Sequence, residues 1–113
     1  MTKRPYARGT VVKGPDLFGP HDHRPYVCLS TENPPFRDEE AVYAVVTTTR
    51  RSAAVPLSET DFTSGGLPRE SYVNPWVLVT IKRADIQKVE GHIAEHTVDK
   101  IAQEAATHLG ALN

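Results

Sequence analysis

Ala41-Val42-Tyr43-Ala44-Val45-Val46-Thr47-Thr48 is the stretch from which the fold of this 113-residue chain can be read. Its small and β-branched apolar residues favour an extended backbone. A nearly continuous apolar run, without alternation, predicts a strand buried on both faces. Upstream, Thr31 to Glu40 is a polar loop holding Pro34-Pro35, and Tyr26 to Ser30 is a second strand entered through Arg24-Pro25. Asp16 to His23 is a loop, because Gly19-Pro20 and Asp22 resist regular structure, and Thr10 to Lys13 is a β-branched run stopped by Gly14-Pro15.

Downstream the pattern continues with Ala53 to Pro56 as a short strand and Asp61 to Pro68, with Gly65-Gly66, as a turn. Ser71 to Val73 meets the breaker Asn74-Pro75, which should bend or bulge the strand before Trp76 to Ile81 resumes it. Ile86 to Ile93 is a last strand containing Gly91. Thr97 then caps a helix with Asp99 in its first turn and Gly110 as its stop. Val98, Ile101, Ala102, Ala105 and Leu109 form the apolar stripe of that helix. Short strands and one terminal helix predict a mainly β small barrel with a C-terminal α-helix as cover, not a βαβ fold.

Length supports one domain over 1–113, burying roughly two thirds of the surface that the unfolded chain exposes. Net charge is -1, from 13 Lys and Arg against 14 Asp and Glu, so bulk electrostatics neither demands nor forbids a nucleic-acid partner. Local clusters carry more information. Arg4, Arg8, Lys13 and Arg24 load the first quarter, Arg50-Arg51 and Lys82-Arg83 are basic doublets, and Glu32, Asp38, Glu39 and Glu40 gather in one loop. The basic N-terminus lacks an apolar signal core and no segment approaches a membrane span, which predicts a cytoplasmic protein without a membrane partner. Cys28, the single cysteine, lies between Val27 and Leu29 and is a packing residue.

The chemistry-bearing pattern is a spaced pair. Arg24 places a permanently cationic fork at the mouth of one strand, and Thr47-Thr48-Thr49, followed by Arg50 and Arg51, ends the next. Such groups can converge on one anion, such as a phosphate. His21 and His23 fall just before Arg24 and bring imidazoles that exchange protons near neutral pH. A metal site on His21-Asp22-His23 is not expected, because no further ligands follow at a recognisable spacing. Tyr26 and Trp76 are able to stack on a base, although Trp76 reads as core, while His92, His96 and His108 read as structural or solvated.

The ordered set Arg8-Gly9-Thr10-Val11-Val12, Arg24-Pro25-Tyr26-Val27-Cys28-Leu29-Ser30, Ala44-Val45-Val46-Thr47, Gly66-Leu67-Pro68 with Ser71-Tyr72-Val73, and the Thr97 to Leu109 helix resembles the MazF/PemK toxins of toxin–antitoxin systems. The resemblance implies an SH3-like barrel, a homodimer, a cognate antitoxin partner and a metal-independent endoribonuclease that needs no cofactor. It places the catalytic arginine on Arg24 and the catalytic hydroxyl on Thr47, acting on single-stranded RNA through its 2′-OH, a nucleophile DNA lacks. Arg50, Arg51, Thr48, Thr80 and Lys82 are the expected RNA contacts. The chain departs from the family pattern in the Phe18 to His23 loop. It departs again at Val77-Leu78-Val79-Thr80, where relatives carry Gln-Ile-Arg-Thr and only Thr80 is kept. Two alternatives accompany this reading: a CcdB-like toxin that inhibits DNA gyrase without catalysis, and a degenerate relative that binds RNA without turnover.

Overall fold

The structure is a computed structural model in which residues 6–111 are described; Arg4 of the basic N-terminal stretch lies outside them. Strands β1 (Thr10–Pro15), β2 (His23–Cys28), β3 (Glu40–Thr47), β4 (Val55–Leu57), β5 (Phe62–Gly65), β6 (Ser71–Lys82) and β7 (Lys88–Ile93) precede helix α1 (Glu95–His108). They form one antiparallel sheet in the order β4-β6-β3-β2-β1-β7-β5. Its outer strands face each other across a cleft lined by Leu57 and Phe62, so the sheet curls into the expected, nearly closed barrel.

Strand β3, which lies between β6 and β2 in the sheet, is buried on both faces, as its composition predicts. Ala44 and Val46 join Val11, Val27, Val73 and Ile101 in one apolar cluster, while Ala41, Tyr43 and Val45 join Val12, Tyr26 and Ile81 in another. Cys28 is fully buried in the second cluster. Burial pushes its thiol above the usual range, as suits a packing residue. The Asn74-Pro75 breaker has the expected effect: Ala44 pairs with Leu78 but Val45 with Asn74, so Pro75, Trp76 and Val77 bulge out of the β3–β6 ladder. This bulge lets the long strand β6 serve β4 at one end and the whole of β3 along its length.

Several boundaries differ from the sequence reading. Glu59–Asp61 forms a 3-10 turn that runs into the segment read as a turn, and inside that segment Phe62–Gly65 pairs with β7 as a strand. Gly65 has φ +66 and approaches β7 so closely that a Cβ there would lie 2.2 Å from the Glu90 carbonyl oxygen. The helix begins at Glu95, with Ala94 as a cap residue that makes no side-chain bond. Thr97 is 4% exposed and donates its hydroxyl to Asp61 Oδ1 at 3.0 Å, tying the helix to the strand β5 corner rather than capping it. Leu109 is not part of the buried stripe; it lies past the helix end and is 73% exposed. Trp76 is not core either. It is carried outward by the bulge to 39% exposure and meets the His108 ring edge-on at 5.5 Å. Tyr26, offered as a base-stacking surface, is fully buried.

Candidate active site

Strand pairing brings the two halves of the sequence pattern together. β2 pairs with β3 through Tyr26↔Val45, Val27↔Ala44 and Cys28↔Tyr43. Continuing that register by two residues sets Arg24 opposite Thr47, and opposite residues of an antiparallel pair project to one face. The Arg24 side chain follows suit: Nη2 donates to the Val46 carbonyl at 3.1 Å, one residue from Thr47. Thr47 Oγ1 accepts the Thr49 N–H at 3.1 Å, which leaves its own proton for another acceptor.

Arg24 is also held from the loop side. Nη1 lies 3.4 Å from Asp16 Oδ1, and the same oxygen accepts the N–H groups of Phe18 and Gly19, both at 3.0 Å. This is a turn closed by an aspartate side chain. The Phe18 N–H holds the Asp16 carboxyl below its ordinary range against the opposing effect of burial, with Arg24 and the other loop N–H groups adding to the lowering. Asp22, next to the histidines and the partner that sequence adjacency suggests for Arg24, is not the residue that pairs with it. The loop is further pinned by Tyr26, whose buried hydroxyl donates to the Pro15 carbonyl at 2.5 Å. Arg24 Nε is buried without a hydrogen-bond partner.

Two adjoining clefts open on this arrangement. One, of about 440 Å³, is lined by Asp16, His21, His23, Arg24, Thr47 and Thr49 among others. The second, of about 390 Å³, is lined by Lys13, Leu67, Pro68, Lys88 and Glu90. They share His23, Arg24, Pro25, Thr48, Arg69 and Ser71, so Arg24 stands at their junction. Each volume is within the range of sites that take small molecules, enough for a nucleotide unit. His23 lies in strand β2 rather than in the loop, and its Nε2 meets the side-chain amide of Gln87, which orients the ring. His21 is exposed on the loop.

Of the residues singled out from sequence, Arg24, Thr47, Thr48, His21 and His23 therefore meet at one cleft. Arg50 and Arg51 are exposed on the bend that follows, outside its lining. Thr80 pairs with Val42 and Lys82 with Glu40, at the far end of β3 from Thr47. The five residue steps from Val42 to Thr47 span about 17 Å of strand, which separates this pair from the cleft. Among the described residues no three His, Cys, Asp or Glu side chains form a cluster able to hold a metal ion. Among them too, no helix is long and apolar enough to cross a membrane. Sequence reasoning missed Asp16 and Arg69. The signal for Asp16 was present, an aspartate two and three residues before the N–H groups it accepts; Arg69 gave none beyond its charge.

No protein-family model and no curated protein sequence matches the chain. Solved structures do. An endoribonuclease in complex with its cognate antitoxin from Mycobacterial species is 25% identical, with TM-score 0.74 over 93% of this chain and 95% of that one. An endoribonuclease from Mycobacterial species is also 25% identical, with TM-score 0.75 over 97% of this chain and 96% of that one. The Mycobacterium tuberculosis toxin MazF-mt6 shares the fold at 21% identity, TM-score 0.70, covering 94% of this chain and 99% of that one. With nearly full-length likeness in both directions and TM-scores of 0.70 to 0.75, the chain is similar in fold to these endoribonuclease and MazF toxin structures.

Proposed function

We propose that the chain is the toxin of a toxin–antitoxin system, an endoribonuclease that cleaves single-stranded RNA without a metal ion. The observation that carries this is the Arg24 guanidinium fastened to the Val46 carbonyl, with Thr47 next along the strand and both lining one open cleft. In this reaction the ribose 2′-oxygen bonds to the adjacent phosphorus, the bond to the 5′-oxygen breaks, and a 2′,3′-cyclic phosphate and a 5′-hydroxyl remain. Charge accumulates on the phosphoryl oxygens in the transition state, so donors fixed in advance stabilise it more than the substrate. Arg24 has N–H groups left over after its bonds to Asp16 and Val46, and Thr47 has an undonated hydroxyl proton.

His21 and His23 are the proton carriers of the proposal, taking the 2′-hydroxyl proton and delivering one to the departing 5′-oxygen. Thr48 contacts the RNA inside the cleft, Arg50 and Arg51 bind phosphates beyond it, and Thr80 and Lys82 meet RNA only where it runs past the far end of β3. A homodimer is the working unit, and a cognate antitoxin, like the one bound by the Mycobacterial neighbour, is the protein partner. The cytoplasm, where its substrate lies, is the proposed location. Convergence of Arg24 and Thr47 favours this over a gyrase inhibitor, which needs no such pair.

The test is incubation of purified protein with mixed RNA in chelator, followed by analysis of the ends. Cyclic phosphate and 5′-hydroxyl ends are expected. RNA left intact, or 5′-phosphate ends, would overturn the assignment, and intact RNA that is nevertheless bound would select the degenerate binding module.

A further inference from the structure

We propose that Arg69 is a further catalytic residue, contacting the phosphate under attack and supplying the net positive charge that the Arg24–Asp16 pair does not. The inference deepens the ribonuclease reading and rests on it. Arg24 does not meet the cleft as a free cation. Its guanidinium lies 3.4 Å from Asp16 Oδ1, and the Asp16 side chain is 1% exposed, so the carboxylate is turned toward the guanidinium and offsets its charge. The pair presents directed N–H donors to a phosphate but almost no net charge. A phosphorane carrying a second negative charge is stabilised by net charge as well as by hydrogen bonds.

The remaining cations of the two clefts are unequal. Lys88 is offset by Glu90, 3.5 Å away, and Lys13 borders only the cleft that lacks Thr47. Arg69 borders both clefts together with Arg24, and among the described residues its guanidinium takes part in no hydrogen bond or ion pair. Its backbone is nonetheless anchored: Ser71, only 5% exposed, donates its hydroxyl to the Arg69 carbonyl at 2.9 Å. An uncompensated, forked cation in the bend just ahead of strand β6, its carbonyl tied to Ser71, can accept a phosphate oxygen pair without losing a prior partner. Arg69 takes up and gives up no proton in the step; bond formation and cleavage at phosphorus are unchanged by its presence.

Wild type, Arg69→Ala and Arg69→Lys are compared in steady-state cleavage of single-stranded RNA, with thermal melts as the folding control. Binding of the 2′-deoxy analogue of the same strand is measured against salt. Arg69→Ala should lower kcat by about 10²-fold with an unchanged melt, and Arg69→Lys should recover part of it. The slope of log affinity against log salt should flatten by about 0.7. An active wild type with unchanged kcat in Arg69→Ala overturns the inference while leaving the ribonuclease reading intact. A wild type that leaves RNA whole overturns the ribonuclease reading, and an unchanged salt slope then removes the phosphate contact of Arg69 as well.

Discussion

Removing Arg24 should disturb stability as well as cleavage, and a double-mutant cycle with Asp16 separates the two effects. From sequence, Arg24 at a strand mouth reads as an exposed charge whose loss leaves folding intact. In the structure its side chain is 20% exposed and faces a carboxylate that is 1% exposed. Hydrogen bonds to charged groups contribute about 1.5 to 3 kcal/mol. The 3.4 Å separation is longer than the ~2.8 Å of a good charge-assisted bond, so the pair belongs at the lower end. Arg24→Ala strands the Asp16 charge and should cost about 2 kcal/mol. Asp16→Asn keeps an oxygen to accept the Phe18 and Gly19 N–H groups and should cost about 1.5 kcal/mol. The double variant should cost about 1 to 1.5 kcal/mol less than the sum, because the second change removes the charge that the first left unpaired.

Urea unfolding of the four proteins at pH 7 measures the coupling, and melting temperatures should follow at about 4 °C per kcal/mol for a domain of this size. Additivity within about 0.5 kcal/mol would refute the claim that this pair fastens the loop to strand β2. Both proteins lacking Arg24 should lose RNA cleavage by at least about 10³-fold, the effect of more than one lost donor at the transition state. Cleavage at the wild-type rate would remove Arg24 from the mechanism whatever the stability data show.

Thr47→Ala should raise the barrier by about 1.5 to 3 kcal/mol with little change in KM, and Thr47→Ser should restore most of the rate; unchanged kinetics in the alanine variant would assign Thr47 to packing. Acid should weaken the fold through two aspartates. Asp61 is pushed up by burial, but the Ser58 N–H and the Thr97 and Ser58 hydroxyls outweigh it and hold the carboxyl below its ordinary range, as the Phe18 N–H does for Asp16. A depressed carboxyl contributes stability that is complete above its unfolded value, near 3.8, and is lost as pH falls through the lower folded value. Urea midpoints measured from pH 7 to pH 2 should therefore hold until about pH 4 and then fall, less steeply in Asp61→Asn. A midpoint that drops steadily from pH 7 would contradict this.

The strands that were legible in the sequence are those whose side chains alone specify an extended, buried backbone. β3 is the extreme case, and its end at Thr47 follows from the switch to exposed Thr48 and Thr49. β5 was illegible because Thr63, Ser64 and Gly65 carry no apolar pattern; the strand exists through its pairing with β7 and the close approach at Gly65. The helix start was misplaced because Thr97 is a good capping residue type, whereas its hydroxyl is engaged by Asp61 across the fold. Tyr26 and Trp76 exchanged roles for one reason each: the phenol finds a buried acceptor at Pro15, and the bulge turns the indole outward. The Arg24 and Thr47 pairing was legible as composition and became geometry only through the β2–β3 register. Asp16 was hidden because loop closure brings it to Arg24, while Asp22 is nearer in sequence.

The outward turn of Trp76 gives the protein a built-in optical reporter. It is the only tryptophan of the chain, partly open to solvent and in edge contact with His108 at the end of α1. Neither cleft around Arg24 includes it. Its emission therefore tracks water and quenching at the helix terminus, so a macromolecule settling on that side would shift the spectrum, whereas a nucleotide filling the Arg24 clefts would leave it dark to the event.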